Sequence, residues 1–353
     1  MRYFLELCLK SVQAAIDTID AEIIVVDNNS EDDSCGIVKQ LFPNVKLIEN
    51  KGNFGFSKGN NIGVAQAKGE YLCILNPDTV VAEDTFVKLL AFCEGKEKLG
   101  AVGCKLINGV GTFLPESKRN IPYVKAAFKK LFGNPSEYYA TLPEDDTGEI
   151  EVLVGAFMFL KKDVYNAVGG FDEDYFMYGE DIDLSYKILK AGYKNYYFGE
   201  VVAIHFKGES TLRDKHYARR FYGAMQIFYS KHFKRNILFD LLVSLGIRVV
   251  YFFRKVQREK KKSVFQYVLV SNKHCEKLDK VLPKILVLKN KIDNFEVETE
   301  LILDANFLNY QEIIGIMNKY SSTKKWTYKI LPNNSNFILG SDNAISRGEI
   351  IEF

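Results

Sequence analysis

The stretch EIIVVDNNSEDDSCGIVKQLFPNVKLIENKGNFGFSKGNNIGVAQAKGEYLCILNPDTV, residues 22–80, decides the fold. EIIVVD (22–27) is a continuous β-branched run that ends on an Asp. That is the pattern of a strand buried on both faces with a polar turn at its C-terminal end. CGIVKQLF (35–42) predicts a short helix closed by Pro43, and NVKLIEN (44–50) a second strand. SKGNNIGVAQAKG (57–69) predicts a helix that opens after a loop rich in Gly and Asn. EYLCILNPD (70–78) predicts a third strand with another polar turn at its end. Strands alternating with helices argue for an open, mostly parallel α/β sheet, in which ligands bind at the C-terminal strand ends. Asp27 and Asp78 fall at such ends.

The flanks extend the alternation. FLELCLKSVQAAI (4–16) has helical apolar spacing, EDTFVKLLAFCE (83–94) predicts a helix, and LGAVGCKLI (99–107) a strand. Residues 108–150 carry Pro115, Pro122, Pro135 and Pro143 and predict an irregular region. Residues 151–192 then predict a strand, a helix, an acidic and aromatic loop, and a helix from about Asp181. A strand pair or one long strand is expected over 195–206, and a basic, aromatic helix over 214–235. ILFDLLVSLGIRVVYFF (237–253) is apolar over 17 residues but includes Asp240 and Arg248. A membrane span wants ~20 residues with few charges. With the basic run RKVQREKKK (254–262) behind it, the segment reads either as a helix lying on an anionic membrane surface or as an amphipathic helix packed on the domain. Residues 263–353 predict short strands around a helix at 310–320, a small α/β or α+β module. The expected organisation is a main domain at 1–235, a membrane-proximal helix at 236–262 and a module at 263–353.

Composition limits the function classes. Apolar residues are 47% and charged residues 26% of 353, which excludes a disordered or low-complexity chain. Lys+Arg at 47 against Asp+Glu at 45 gives a net charge of +2, so bulk-charge nucleic-acid binding is not expected. Six Cys form no C-x-x-C pair, which suits reduced, buried thiols in a cytoplasmic protein. No basic start with an apolar signal core is present.

Four clusters at predicted strand ends carry chemistry. In VVDNNSEDDS (25–34) a carboxylate and amides can bond a nucleobase and ribose, or cap the next helix. In NKGNFGFSKGNNIG (50–63) Gly52, Gly55 and Gly59 allow close backbone approach, while Asn53, Asn60 and Asn61 offer amides. It is neither a Walker loop nor a strict G-x-G-x-x-G. In LNPDT (75–79) Asp78 suits a hard divalent cation that also holds phosphate oxygens, or a helix-capping turn. In FDEDYFMYGEDIDLSYKI (171–188) Glu180, Asp181 and Asp183 gather at a helix start, where the dipole favours them. A carboxylate in an aromatic pocket is also a good general base.

In this order, with a late His in IHFKGEST (204–211), the clusters resemble the family 2 glycosyltransferases, over residues 1 to about 235. The NPD motif and the N-x-G-F-S-x-G-N-N segment look most like the rhamnosyltransferase branch. The resemblance implies a GT-A fold, a Rossmann-like, mostly parallel sheet that binds nucleotide-diphospho-sugars. It implies that Asp27 contacts the base or ribose beside Asn29 and Ser30, and that Asn53, Phe54, Gly55 and Asn60 line the sugar-nucleotide pocket. Asp78 matches the surviving carboxylate of the family's D-x-D metal motif, with Asn76 in place of its first Asp. His205 matches a His that joins the metal or diphosphate. Of the Glu180–Asp181 pair, Asp181 matches the catalytic base, and Glu180 lies nearer the sugars. The cofactor implied is Mg²⁺ or Mn²⁺. The partners implied are a dTDP- or UDP-linked donor and a glycan or lipid-linked acceptor, on the inner face of the cell membrane. The reaction implied is an inverting transfer for cell-surface polysaccharide.

The family begins with an apolar strand ahead of the helix seen here at 4–16. That first strand, interior to the sheet, is expected to be missing from this sequence, with a start codon assigned too late as the favoured explanation. A nucleotidylyltransferase would want a basic Gly-rich loop near the start, which this sequence does not show. A non-catalytic binder of nucleotide sugars is the remaining alternative.

Overall fold

The computed structural model describes residues 1–123, 136–206, 215–233, 263–321, 324–342 and 348–353. The main domain runs α1 (Arg2–Ile16), β1 (Ile24–Asp27), α2 (Ser34–Leu41), β2 (Lys46–Glu49), α3 (Gly55–Gln66), β3 (Tyr71–Leu75), β4 (Thr79–Val80), α4 (Thr85–Cys93) and β5 (Leu99–Ile107). It continues with β6 (Thr147–Ile150), β7 (Phe157–Lys161), α5 (Lys162–Ala167), α6 (Glu180–Lys190), β8 (Lys194–His205) and α7 (Lys215–His232). The module runs β9 (Gln266–Val270), α8 (Glu276–Val281), β10 (Leu286–Lys289), β11 (Thr299–Asp304), α9 (Tyr310–Tyr320), β12 (Thr327–Leu331), β13 (Phe337–Gly340) and β14 (Glu349–Glu352).

The main domain is mixed α/β, and its sheet is mixed in direction. β7 runs antiparallel between β3 and β5, while β8 runs parallel to β5 and antiparallel to β4 and β6. The mostly parallel order expected from the sequence holds for β1 with β2 and for β5 with β8. A buried apolar run such as Phe157–Leu160 packs equally well in either direction, so periodicity does not reveal the reversal of β7. β1 and β2 form a two-stranded sheet of their own, separate from the sheet ordered β3-β7-β5-β8-β4.

Helix α1 joins these pieces because it is apolar on three sides, the mark of a buried helix. Leu5 and Leu9 pack with Ile37, Val38 and Phe42 beneath the β1–β2 pair. Cys8, Val12 and Ala15 pack with Phe86, Leu89 and the β3 side chains Tyr71, Cys73 and Leu75. Phe4 and Leu7 enter a third core with Val80, Ile204 and Phe206 and with the module's Ile313, Met317, Tyr328 and Phe337. The module is a six-stranded sheet ordered β10-β9-β11-β12-β13-β14, parallel through β12 and antiparallel beyond.

The region expected to be irregular contains β6, and Arg119 bridges to both Tyr139 and Val152. The stretch 195–206 is one long strand, β8, of 12 residues. The six Cys are all unbridged, and Cys8, Cys93 and Cys104 are buried. The segment expected to lie on a membrane, 236–262, falls outside the described residues. No helix among the described residues is long and apolar enough to cross a membrane.

Candidate functional site

The loops that follow β1, β2 and β3 meet the start of α6. Asp27 closes β1, and its Oδ2 accepts the Ser30 N–H at 3.0 Å. Asn29 makes that turn with a φ of 63°, a left-handed conformation Asn tolerates well. Asn28, which sequence reasoning passed over, ties this turn to the next loop. Its Nδ2 donates to the Gly55 carbonyl at 2.8 Å, and its Oδ1 accepts from Asn50 Nδ2 at 2.9 Å.

In the second loop Asn53 Oδ1 accepts the Gly55 N–H at 3.0 Å. Phe54 stays exposed with the Lys58 ammonium over its ring. Gly55 has a φ of +83°, and a Cβ there would stand 2.4 Å from the Phe176 carbonyl oxygen. Only Gly fits that crossing. The Phe56 N–H donates to the same carbonyl at 2.8 Å, so the loop is pinned to the acidic, aromatic loop before α6. Asn60 Nδ2 donates back to the Phe56 carbonyl at 2.9 Å, so it braces its own helix. Asn61 holds the far loop by donating to the Phe171 carbonyl at 2.9 Å.

The third cluster is Asn76, Asp78 and His205. β4 pairs with β8 so that Thr79 lies opposite His205. His205 Nε2 is 3.4 Å from Asp78 Oδ1 and 3.4 Å from Asn76 Nδ2. Asp78 is fully buried, and its backbone carbonyl accepts the Phe206 N–H at 3.0 Å. Asn76 Oδ1 and His205 Nδ1 are buried without a hydrogen-bond partner. Among the described residues no group of three His, Cys, Asp or Glu side chains could hold a metal by itself.

The fourth cluster is the carboxylate pair at the start of α6. Asp181 is clamped. Its Oδ2 accepts from Arg119 Nη2 at 2.6 Å and from the Gly155 N–H at 3.1 Å, and its Oδ1 accepts the Ile182 N–H at 2.8 Å. Arg119 is buried with it and also donates to the Leu153 carbonyl at 2.7 Å. Glu180 is equally buried, but its Oε2 has no hydrogen-bond partner. Burial first and then the neighbouring Asp181 push the Glu180 carboxyl up to about 8. A Cβ on Gly155 would lie 3.6 Å from Glu180 Oε1 and 3.5 Å from the Phe56 ring, so the bare backbone at Gly155 keeps that space open.

Two consecutive residues connect the third and fourth clusters. The Gly155 N–H bonds Asp181, and the Ala156 carbonyl accepts the Asn76 N–H at 3.0 Å. The structure thus links the Asn76, Asp78 and His205 cluster to Asp181 through Gly155 and Ala156, with Glu180 next to Asp181 in sequence, while Asp27, Asn29 and Ser30 connect through Asn28 and Gly55. Beside this array, Asp174, Tyr175, Phe176, Met177, Arg220 and Ile227 line a cavity of about 400 Å³. Arg119 was missed because it sits in a Pro-rich stretch with no periodic signal.

Residues 3–169 match the model for glycosyl transferase family 2. Over 228 residues the chain is 27% identical to the N-acetylglucosaminyl-diphospho-decaprenol L-rhamnosyltransferase of Mycobacterium tuberculosis, covering 60% of this chain and 74% of that protein. It is 28% identical over 202 residues to the rhamnosyltransferase WbbL of Escherichia coli K12, covering 52% of this chain and 72% of that one. Among solved structures, a mannosyltransferase from Pyrobaculum calidifontis in complex with GDP-Man and Mn²⁺ superposes at a TM-score of 0.47 with 18% identity, over 72% of this chain and 67% of that one. That overlap is too loose to weigh beside the sequence matches. Those matches make residues 3–169, which include Asn76 and Asp78, a family 2 glycosyltransferase region, and the chain is rhamnosyltransferase-like in sequence.

Proposed function

We propose that this protein moves a sugar from a dTDP- or UDP-linked donor to a hydroxyl of a glycan or lipid-linked acceptor during cell-surface polysaccharide synthesis, with inversion at the anomeric carbon. The observation that carries the reading is the linkage of the Asp78–His205–Asn76 cluster to the Glu180–Asp181 pair through Gly155 and Ala156. A diphosphate site and a base thereby stand on one rigid frame, as a single displacement requires. Rhamnose is the first sugar to test, because the two relatives compared are rhamnosyltransferases.

The donor set suits a cation shared with the substrate. Asp78 and His205 would hold it, and the buried, unpartnered Asn76 Oδ1 and His205 Nδ1 are polar groups that a cation–diphosphate unit could engage. When bound, Mg²⁺ or Mn²⁺ would neutralise charge on the leaving diphosphate. The chain's own residues do the rest. Asp27 and the Asn29–Ser30 turn bond the nucleoside, and Asn53, Phe54 and the Gly55 backbone border the sugar-phosphate path. The Gly55–Phe176 crossing fixes the donor loop against the loop that walls the Arg220 cavity. That cavity, aromatic with one cation at its edge, is where we place the acceptor. A lipid-linked acceptor would bring segment 236–262 to the inner membrane face.

The test is a thermal-shift screen of the full chain with dTDP-, UDP- and GDP-sugars, with and without Mn²⁺. One nucleotide class should raise Tm only with metal, by ~2.7 kcal/mol in stability at 100-fold over Kd, and Asp78→Ala should abolish the shift. A shift without sugar transfer would support a second reading, a non-catalytic nucleotide-sugar binder, which the separation of the β1–β2 pair from the main sheet favours. No shift with any donor would refute both.

A further inference from the structure

We propose that the N-terminal edge of the module sheet, with the adjoining outer strand β10, rests on an anionic lipid bilayer and dips Phe265, Ile285 and Val297 into it. The inference stands apart from the transfer chemistry and assigns residues 263–353 a surface of their own.

Strand register brings these side chains together. β10, β9 and β11 are parallel neighbours, with Leu286 opposite Tyr267 and Thr299 opposite Gln266. The three strands therefore start at one edge, and Phe265, Ile285 and Val297 lie just ahead of those starts. Hydrogen bonds tie the edge across. The Phe265 N–H donates to the Glu298 carbonyl at 2.9 Å, and Lys284 Nζ donates to the carbonyls of Val264 and Phe265 at 2.6 and 3.2 Å. Phe265 and Val297 are each 60% exposed, and Ile285 is 81% exposed. Val281, at the end of α8, is exposed as well, and so are Val287 and Leu288 along β10. Apolar side chains scattered singly on a surface need no explanation, but a contiguous group of them marks an interaction site.

The surrounding charges select the partner. KILVLK (284–289) sets an exposed Lys at each end of four apolar residues. Lys280, beside Val281, and Lys325, two residues ahead of β12, are exposed too. In the sequence, Lys262 lies three positions before Phe265 and closes the run RKVQREKKK, which holds six Lys and Arg against one Glu. The acidic side chains leading into β11 are Asp293, Glu296 and Glu298, and the basic groups outnumber them. Such a mixture of apolar tips and basic flanks suits anionic headgroups. A second copy of the chain fits less well. Centred antiparallel pairing of β10 with itself would set Lys284 against Lys289 at both ends, and like charges directly opposite destabilise a strand pair. The backbone limits the depth. An open strand edge cannot enter hydrocarbon, where its N–H and C=O groups lack partners, so β10 lies at headgroup level and only the side-chain tips go deeper. The module shares a core with Val80 of β4 and Ile204 of β8, so its bilayer contact also sets how far Asp78 and His205 stand from the membrane.

The test is co-sedimentation of the full chain with vesicles of phosphatidylcholine alone and of phosphatidylcholine mixed equally with phosphatidylglycerol. The wild type should bind the anionic vesicles and leave them as salt rises, since the Debye length falls from ~10 Å at about 0.1 M to ~3 Å at about 1 M. A Phe265→Ser/Ile285→Ser/Val297→Ser variant should bind at least ~tenfold more weakly. Its Tm and its donor-dependent thermal shift should match the wild type, because the three side chains are exposed. Lys289→Gln should weaken binding ~5-fold. Emission from Phe265→Trp should shift to the blue on anionic vesicles and be quenched by lipid brominated high on its acyl chains, beyond any change in the wild type, whose single Trp326 is buried. If the triple variant does not fold, Ile285→Ser, at the most exposed position, is read in the same assay. A wild type that does not bind anionic vesicles overturns the proposal. Binding that the serine variants leave unchanged also overturns it, by placing the lipid contact elsewhere in the chain. Self-association that the serine substitutions abolish, without vesicle binding, would seat a second copy on the edge and overturn it as well.

Discussion

At the scale of single residues, the site depends on atoms that are absent as much as on those present. Gly55 has no room for a Cβ, which would meet the Phe176 carbonyl at 2.4 Å, and its φ of +83° is left-handed. Gly95 has a φ of +69° with nothing within 4 Å of its Cβ position. Gly95→Ala should therefore cost only the left-handed strain, roughly 1–2 kcal/mol. Gly55→Ala should cost about twice that and weaken donor binding at least tenfold, read by denaturation and by donor-induced thermal shift. Equal costs at the two positions would show that the Phe176 crossing is soft. Glu180 gives a pH test of stability. Its folded carboxyl is raised from 4.5 to about 8, so the folded state holds the proton more tightly. The stability this provides is complete below about pH 4.5 and is lost as pH rises through about 8. Glu180→Gln removes that loss, so its Tm advantage over wild type should grow between pH 5 and 9. Asp27, Asp78, Glu180 and Asp181 could be read from the sequence because a carboxylate at a strand or helix end is a local signal. Arg119 and Asn28 could not, because each acts through a partner far along the chain, 62 residues away for Arg119 and 27 for Asn28.

At the scale of elements, apolar patterning reveals type more readily than direction or neighbour. The helices at α1, α3 and α6 and the strands at β1, β2, β3 and β5 follow from apolar spacing and the Gly and Pro that punctuate it. The reversal of β7 and the isolation of the β1–β2 pair are properties of pairing, which a one-dimensional pattern does not encode. The attachment of α7 to α6 was equally hidden. Fully buried Asp183 accepts from His232 at 2.6 Å and from Lys231 at 2.9 and 3.0 Å, with Lys187 3.4 Å away on its own helix. These bonds hold α7, which carries Arg220 and one wall of the cavity, against the helix that starts with Glu180. Asp183→Asn should cost about 3 kcal/mol, the lower end for breaking a buried pair, since Lys231 keeps its bond to Asp172. The same variant should raise the KM for acceptor more than that for donor and expose α7 to proteolysis. A variant that melts like wild type would mean that the aromatic packing of Phe228 and Tyr186 alone holds α7 in place.

At the scale of the whole molecule, the question is whether residues 263–353 move independently of the transferase domain. Composition and patterning mark them as a module, yet their main helix lies in a core shared with the site's own strands. Ile313, Ile314 and Met317 of α9 pack with Val80 of β4, Ile204 of β8 and Phe206, and the last of these bonds the Asp78 carbonyl through its N–H. Gly111 reinforces the contact, since a Cβ there would sit 2.0 Å from the Met317 carbonyl oxygen. Polar groups fix the orientation. Glu83, three residues past the shared Val80, caps α9 by accepting the N–H groups of Tyr310 and Gln311 at 2.7 and 2.9 Å. Lys10 of α1 reaches the Asn333 carbonyl and Ser335. A carboxylate at a helix N-terminus contributes about 1 kcal/mol, small beside the apolar core but specific in direction. A shared core predicts cooperative unfolding. The full chain should melt in one transition by calorimetry, and Glu83→Ala should lower its midpoint by a few degrees without splitting it. Because the same core backs Asp78 and His205, Glu83→Ala should also weaken the metal-dependent donor shift. Two transitions in the wild type, with the donor shift confined to one of them, would show instead that the module rides on the enzyme without shaping its site.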